Sequence, residues 1–336
     1  MTFHAETEDA DPLSREVSEA SGPEHGWVLE VREVLRRCDP DWRDAPWETF
    51  ERDLVVDGRR VHLVDVGAGP AVVFVHGLAS SWQWWLETLP AVVARGHRAV
   101  ALDLPGFGDS ELPVRMTHES TARCIDEICG QLGLGDIALV GHSMGTVVAP
   151  EVAWRYPDRV AKLVLVGGPP LSVLRLFRTP VRTLRAHPET SSFLIEVATA
   201  GFPVSPFMRR QISERAWLRR LVFSPYVPRA DLLAPDLIHR LLGGIGAKGV
   251  FPALRNGLGY EPEHALRGIG CPTLVVGGTE DKITPQRDLH EFAGMIGLDR
   301  LEIMEGTGHW PMLERPDAFV EVLGDFLDGT AGRTGA

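Results

Sequence analysis

One stretch of the sequence decides the fold: Ile137-Ala138-Leu139-Val140-Gly141-His142-Ser143-Met144-Gly145. Its apolar start is typical of a buried strand, and the residues after Gly145 have the pattern of a helix. A serine hydroxyl is a weak nucleophile unless it is exposed, aimed and deprotonated as it attacks. The flanking glycines leave room for a strained turn that would project the Ser143 hydroxyl from the top of a sheet. The stretch therefore predicts a serine nucleophile in front of a helix N-terminus.

Further apolar, strand-like runs lie on both sides of this stretch, and they alternate with helical patterns. They are residues 72–76, 99–103, 272–278 and 301–304. Residues 60–66 also form a strand pattern, which the turn Asp57-Gly58 would pair with the run before it. Continuous Val- and Leu-rich runs separated by helices are typical of a largely parallel sheet covered on both faces. The sequence therefore predicts an α/β fold.

Together these motifs resemble the α/β-hydrolase superfamily, in particular its capped, esterase-like serine hydrolases, over about residues 48–330. The resemblance implies that Ser143 is the nucleophile and that His309 is the general base and then the general acid. It also implies that Asp281 orients the imidazole, since Asp281 matches the family pattern Gly-x-x-Asp-x-x-x-Pro, here residues 278–285. Glu280 is its only close rival. The serine separates the chain from relatives with an aspartate nucleophile.

The resemblance also assigns an oxyanion hole and a set of substrate contacts. The backbone N–H groups of Leu78, which follows a His-Gly dipeptide, and of Met144 would stabilise the oxyanion. His76 and His142 flank this region, where either would contact the substrate or serve in packing and hydrogen bonding. Trp310, next to the predicted base, is a candidate for substrate binding by its position.

The predicted reaction is cleavage of a carboxylic ester or lactone with an apolar acyl part, through an acyl-enzyme. Thioester cleavage, acyl transfer and carbon–carbon bond hydrolysis use similar triads on this fold and stay open as alternatives. A ligand-binding, receptor-like protein that turns over slowly is a different class. Turnover on activated esters distinguishes the two classes.

The chain divides into four predicted regions. They are an acidic, disordered N-terminus (1–24), a helical extension (25–47), a core (48–168 and 266–330) and an inserted helical cap (169–265). Residues 171–267 contain 14 Arg and Lys against 7 Asp and Glu. This basic character would attract an anionic substrate, or it would only mark solvated helix faces.

Composition limits the possible partners. The formal net charge is −12, which disfavours binding to nucleic acid, so we expect a small-molecule acyl substrate as the partner. We see no basic leader and no apolar segment of the ~20 residues that a membrane span needs, which predicts a cytoplasmic protein. The four cysteines, Cys38, Cys124, Cys129 and Cys271, have no metal-site or disulfide spacing. We expect free thiols, no metal and no cofactor, and the sequence does not indicate an oligomeric state.

Overall fold

The computed structural model describes residues 42–258, 260–298 and 300–329. The predicted disordered terminus (1–24) and most of the predicted helical extension (25–47) lie outside the described residues. Two 3-10 turns, Trp42–Asp44 and Trp47–Thr49, begin within the described end of that extension. Both Trp42 and Trp47 are buried, so this segment packs onto the body of the protein.

An eight-stranded sheet forms the centre of the molecule. In chain order its strands are β1 (Glu51–Val56), β2 (Arg59–Val66), β3 (Ala71–Val75), β4 (Arg98–Leu102), β5 (Ile137–His142), β6 (Val160–Val166), β7 (Thr273–Gly278) and β8 (Arg300–Met304). They lie in the order β1-β2-β4-β3-β5-β6-β7-β8. The strand β2 is antiparallel to its neighbours, and every pair from β4 to β8 is parallel. The predicted hairpin at Asp57-Gly58 is confirmed, with positive φ at both residues.

Fourteen α-helices are described around the sheet. Those outside the β6–β7 connection are α1 (Leu89–Ala94), α2 (His118–Gln131), α3 (Gly145–Arg155), α12 (Gln286–Ile296), α13 (Pro311–Glu314) and α14 (Pro316–Leu327). Those inside it are α4 (Leu171–Arg178), α5 (Pro180–Ala186), α6 (Ser191–Ala200), α7 (Pro206–Glu214), α8 (Ala216–Phe223), α9 (Pro235–Leu241), α10 (Val250–Gly257) and α11 (Glu263–Arg267). None of these described helices combines the length and the apolar character needed to cross a bilayer.

The sheet separates two hydrophobic cores. Successive side chains of a strand point to opposite faces, so Phe74 of β3 packs in one core and Val73 and Val75 pack in the other. All three are fully buried, as the prediction of a sheet covered on both faces requires. The α/β-hydrolase fold predicted from the sequence is confirmed.

We call residues 171–267, which connect β6 to β7, the helical insertion. The segment predicted as the cap, residues 169–265, lies in this connection, and residue 265 falls inside α11. That helix packs against α3 of the sheet's covering layer. The insertion spans the carboxyl edge of the parallel strands, and in α/β sheets this edge carries the ligand site.

Candidate active site

The turn between β5 and α3 presents Ser143 in a strained conformation. Its φ is +51°, which a residue other than glycine rarely adopts. The two neighbouring glycines make the turn possible. A Cβ on Gly141 would lie 2.4 Å from the carbonyl oxygen of Gly145, and a Cβ on Gly145 would lie 2.5 Å from that of Val75. Both glycines are therefore required because the backbone passes too close for a side chain.

Ser143, His309 and Asp281 form one hydrogen-bonded chain of buried side chains. The Ser143 hydroxyl donates to Nε2 of His309 over 2.9 Å, and the Nδ1–H of His309 donates to Oδ2 of Asp281 over 2.8 Å. The other carboxylate oxygen of Asp281 accepts the backbone N–H groups of Ile283 and Thr284, each at 2.8 Å. The structure thus places Asp281 beside the imidazole, while the Glu280 side chain is exposed.

The electrostatic surroundings of His309 favour its protonated form. Burial alone would lower the pKa of His309, but the charge and hydrogen bond of Asp281 outweigh it and raise the pKa above the usual 6.5. The carboxyls of Glu196 and Glu314 add to this effect. His309 therefore binds a proton more readily than an isolated imidazole does, as a general base must.

The loop that carries His309 is fixed from two sides. The Glu314 carboxyl accepts the backbone N–H groups of Gly308 and Trp310 at 2.9–3.0 Å. From the helical insertion, the Tyr226 carbonyl accepts the N–H of His309 at 2.8 Å. The Trp310 ring stacks on that of Tyr226 at 5.7 Å between centroids. The insertion therefore braces the histidine through its own backbone.

The predicted oxyanion donors lie on either side of Ser143. A Cβ on Gly77 would be 3.1 Å from Cβ of Ser143, so the loop after β3 runs directly against the serine. Within the described residues, no acceptor engages the N–H of Leu78 or of Met144. Both groups are thus available to a ligand at Ser143.

The two histidines of this region differ in what they contact. His76 is fully buried, accepts the Leu104 N–H at Nε2 and donates from Nδ1 to the Gly77 carbonyl. Burial lowers its pKa to about 4. His76 does not line either cavity at Ser143, so the structure does not bring it to a substrate. His142 does line a cavity, and its Nε2 is bonded to the backbone carbonyl of His309.

Two cavities meet at Ser143, and Leu78, Ser143 and Glu196 line both of them. The small cavity, of about 90 Å³, is lined mostly by apolar side chains, including Phe107, Met116, Val147, Val173 and Phe193. The large cavity, of about 620 Å³, is lined by residues including Trp84, His142, Phe223, Tyr226, His309 and Trp310. Among the described residues, neither cavity has a lysine or an arginine in its lining.

Sequence reasoning missed three residues of this site: Glu196, Tyr226 and Glu314. Glu196 had a signal, because it is the only acidic residue in the apolar run of residues 193–198. Tyr226 contributes its backbone carbonyl to the His309 loop, and such a contact cannot be predicted from the type of residue.

Potential metal ligands in the described part of the chain come together at His62, Asp103 and Asp109. The two carboxylate oxygens of Asp103 already accept the backbone N–H groups of Trp82 and Asp109. The Asp103 carboxylate thus holds the loop after β4 through these two backbone hydrogen bonds.

Comparison with known proteins agrees with this geometry. Residues 72–322 match the sequence model of the alpha/beta hydrolase family. The chain belongs to this family. It is similar to 2-hydroxymuconate semialdehyde hydrolase of Pseudomonas sp. (strain CF600), at 29% identity over 84% of this chain and 96% of that protein. It is also similar to 2-hydroxy-6-oxononadienedioate/2-hydroxy-6-oxononatrienedioate hydrolase of Klebsiella pneumoniae, at 31% identity over 80% of this chain and 91% of that protein.

Solved structures share the fold at lower identity. One is the bromoperoxidase from Bacillus anthracis, with a TM-score of 0.65 and 21% identity over 83% of this chain and 99% of that one. The family membership and the named relatives make this α/β hydrolase an enzyme of the hydrolase class.

Proposed function

We propose that the protein is a serine hydrolase that cleaves an uncharged carboxylic ester or lactone with an apolar acyl part. One observation carries the proposal: a hydrogen-bonded Ser143, His309 and Asp281 stand where two apolar cavities meet. A substrate with its reacting carbonyl at Ser143 has room for an apolar group on either side. We propose that the helical insertion is the cap that covers this site and excludes water from it.

The mechanism starts with the transfer of the Ser143 proton to Nε2 of His309 as the serine oxygen attacks the carbonyl carbon. The negative charge that develops on the carbonyl oxygen is stabilised by the N–H groups of Leu78 and Met144. The bond to the alcohol then breaks, and the alcohol leaves with the proton from His309. Nε2 of His309 then takes a proton from water, which attacks the acyl-enzyme. The bond to the serine oxygen breaks, the acid is released, and His309 returns the proton to Ser143.

The charges around the site favour an uncharged substrate. A carboxylate brought into either cavity would lose its hydration without meeting a lysine or an arginine of the described lining. Two arginines of the helical insertion form ion pairs at the surface: Arg175 pairs with Glu291, and Arg178 pairs with Glu261 and Glu263. These contacts support the interpretation that the basic residues of the insertion lie on solvated helix faces, and they do not favour an anion-binding site.

Carbon–carbon bond hydrolysis is the second candidate, and similarity favours it. Both curated relatives above are named as hydrolases of 2-hydroxy-oxo compounds, and they match over more than nine-tenths of their length. The Klebsiella enzyme is named for dioate substrates, which carry two carboxylates. The cavities of the present chain have no described cationic side chain for such groups, which is why the ester is our first choice.

Steady-state turnover of a substrate panel separates these functions. The panel contains p-nitrophenyl hexanoate, a medium-ring lactone, a hexanoyl thioester and a 2-hydroxy-6-oxo-dienoate, each with the wild type and with Ser143→Ala. We expect many turnovers of the oxygen ester or the lactone, and none by the variant. A larger kcat/KM for the dienoate would replace our proposal by the second candidate. A yield of about one hydrolysis event per protein molecule would identify a binding protein.

A further inference from the structure

Among the described residues, Glu196 is the only acidic one that lines the two cavities. It lies on α6 of the helical insertion and, with Leu78 and Ser143, lines both cavities. Its position at the junction of the cavities places it next to any group bound across Ser143. Its charge also interacts with those of His309 and Asp281, so it lies close to the reacting centre.

The Glu196 carboxylate is not neutralised by the protein. In the part of the chain that the structure describes, burial and the charges of His309 and Asp281 act on this carboxyl, and no hydrogen bond holds it. Other carboxyls of the insertion differ in this respect, since Glu214 pairs with Arg210 and Asp231 pairs with Arg229. An ionised Glu196 therefore directs an uncompensated negative charge into the substrate space.

We propose that Glu196 determines substrate specificity by excluding esters whose acyl part carries a carboxylate. The inference rests on the proposed ester hydrolase function and names the residue that would confine it to uncharged esters. Two like charges in a site of low dielectric repel each other strongly, and the apolar walls provide no counter-ion. The Glu196 carboxyl thus acts on the choice of substrate, whereas the triad acts on every substrate alike.

Protonation of Glu196 would remove the exclusion. Burial raises the pKa of Glu196 to about 7, so its charge changes within the range where the enzyme can be assayed. The charges of His309 and Asp281 act on Glu196, and the other titratable groups that line its cavities are Tyr226, His118 and His142. Burial lowers the pKa of His118 to about 4 and that of His142 well below the usual value, and it raises the pKa of Tyr226. These three groups do not titrate near neutral pH.

The test compares two esters of equal acyl length, p-nitrophenyl hexanoate and mono-p-nitrophenyl adipate, which differ by a terminal carboxylate. The quantity measured is the ratio of kcat/KM for the adipate to kcat/KM for the hexanoate, so that the protonation of His309 cancels. The enzymes are the wild type, Glu196→Gln and the control Glu214→Gln, which removes a charge from an exposed position of the insertion.

At about pH 8 we expect the ratio in Glu196→Gln to exceed that of the wild type by about tenfold or more, and Glu214→Gln to match the wild type. In the wild type and in Glu214→Gln, the ratio should rise several-fold as the pH falls from about 8 to about 6, because Glu196 becomes neutral. In Glu196→Gln it should stay constant.

Ratios within about twofold between wild type and Glu196→Gln, or a wild-type ratio independent of pH, would overturn the inference. The pH series needs no variant, so it decides the question even if Glu196→Gln does not fold. If the hexanoate itself is not hydrolysed in a Ser143-dependent manner, the proposed function fails and this inference fails with it. Hydrolysis of the hexanoate with an unchanged ratio refutes the specificity role alone.

Discussion

Replacing Asp281 by asparagine should abolish activity, because it favours the tautomer of His309 that carries the imidazole proton on Nε2. One carboxylate oxygen of Asp281 accepts two backbone N–H groups, and the other accepts the Nδ1–H of His309. An asparagine keeps the first pair of bonds only if its oxygen occupies that position. Its NH₂ group then faces Nδ1 and donates to it, which moves the imidazole proton to Nε2. His309 can no longer accept the proton of Ser143.

The opposite orientation of the amide is disfavoured by the same geometry. Turning the NH₂ group toward Ile283 and Thr284 would leave two buried N–H groups without acceptors, at a cost of about 1–3 kcal/mol each. The productive orientation is therefore populated at roughly 4% or less when the total cost is at least about 2 kcal/mol. With the loss of the negative charge that stabilises the imidazolium, we expect kcat/KM to fall about 10⁴-fold.

The assay is hydrolysis of p-nitrophenyl hexanoate by Asp281→Asn, with Glu280→Gln as the matched control and thermal unfolding as the check on folding. The control changes the neighbouring, exposed carboxyl and should keep activity within about twofold. The variant should stay folded, because the two backbone bonds persist. A loss of less than about tenfold in folded Asp281→Asn would refute the assignment of Asp281 as the group that orients His309.

Two further predictions concern the base and the turn. Only neutral His309 accepts a proton, and its pKa is raised, so kcat/KM for an uncharged ester should fall with decreasing pH around a midpoint above 6.5. Glu196→Gln should lower that midpoint, because it removes a negative charge that raises the pKa of His309. A flat profile down to about pH 5 would contradict this role of His309. Gly145→Ala should lower kcat/KM by about 10²-fold or more, because its Cβ would meet the Val75 carbonyl at 2.5 Å and displace the serine. Gly130→Ala, with nothing within 4 Å of its Cβ, is the control; equal activities would show that the close approach at Gly145 is unimportant.

The sequence was sufficient to predict a mainly parallel sheet and the three residues that form the hydrogen-bonded chain of Ser143, His309 and Asp281. Parallel strands end at one edge, so residues that follow the strands β5, β7 and β8 must meet there. The choice between Glu280 and Asp281 depended on the resemblance, and the structure supplies the reason in the two N–H groups that hold Asp281. The local sequence pattern and the strand order are thus enough to place the three hydrogen-bonded residues of the site.

Contacts between distant segments could not be predicted. The position of Glu196 depends on how α6 packs over the sheet, and no local pattern states which side of that helix faces Ser143. For His76 the sequence left substrate contact and hydrogen bonding both open, because it does not show that the Leu104 N–H and the Gly77 carbonyl engage both ring nitrogens. Such bonds join residues far apart in sequence or depend on a ring orientation, so they appear only in the folded molecule.

The central claim is that Ser143 is an activated nucleophile, and covalent labelling tests it most directly. The wild type and Ser143→Ala are treated with a serine-directed fluorophosphonate, and the intact mass of each protein is measured. We predict a single adduct on the wild type and none on Ser143→Ala. No adduct on folded wild type, or the same adduct on Ser143→Ala, would contradict the account.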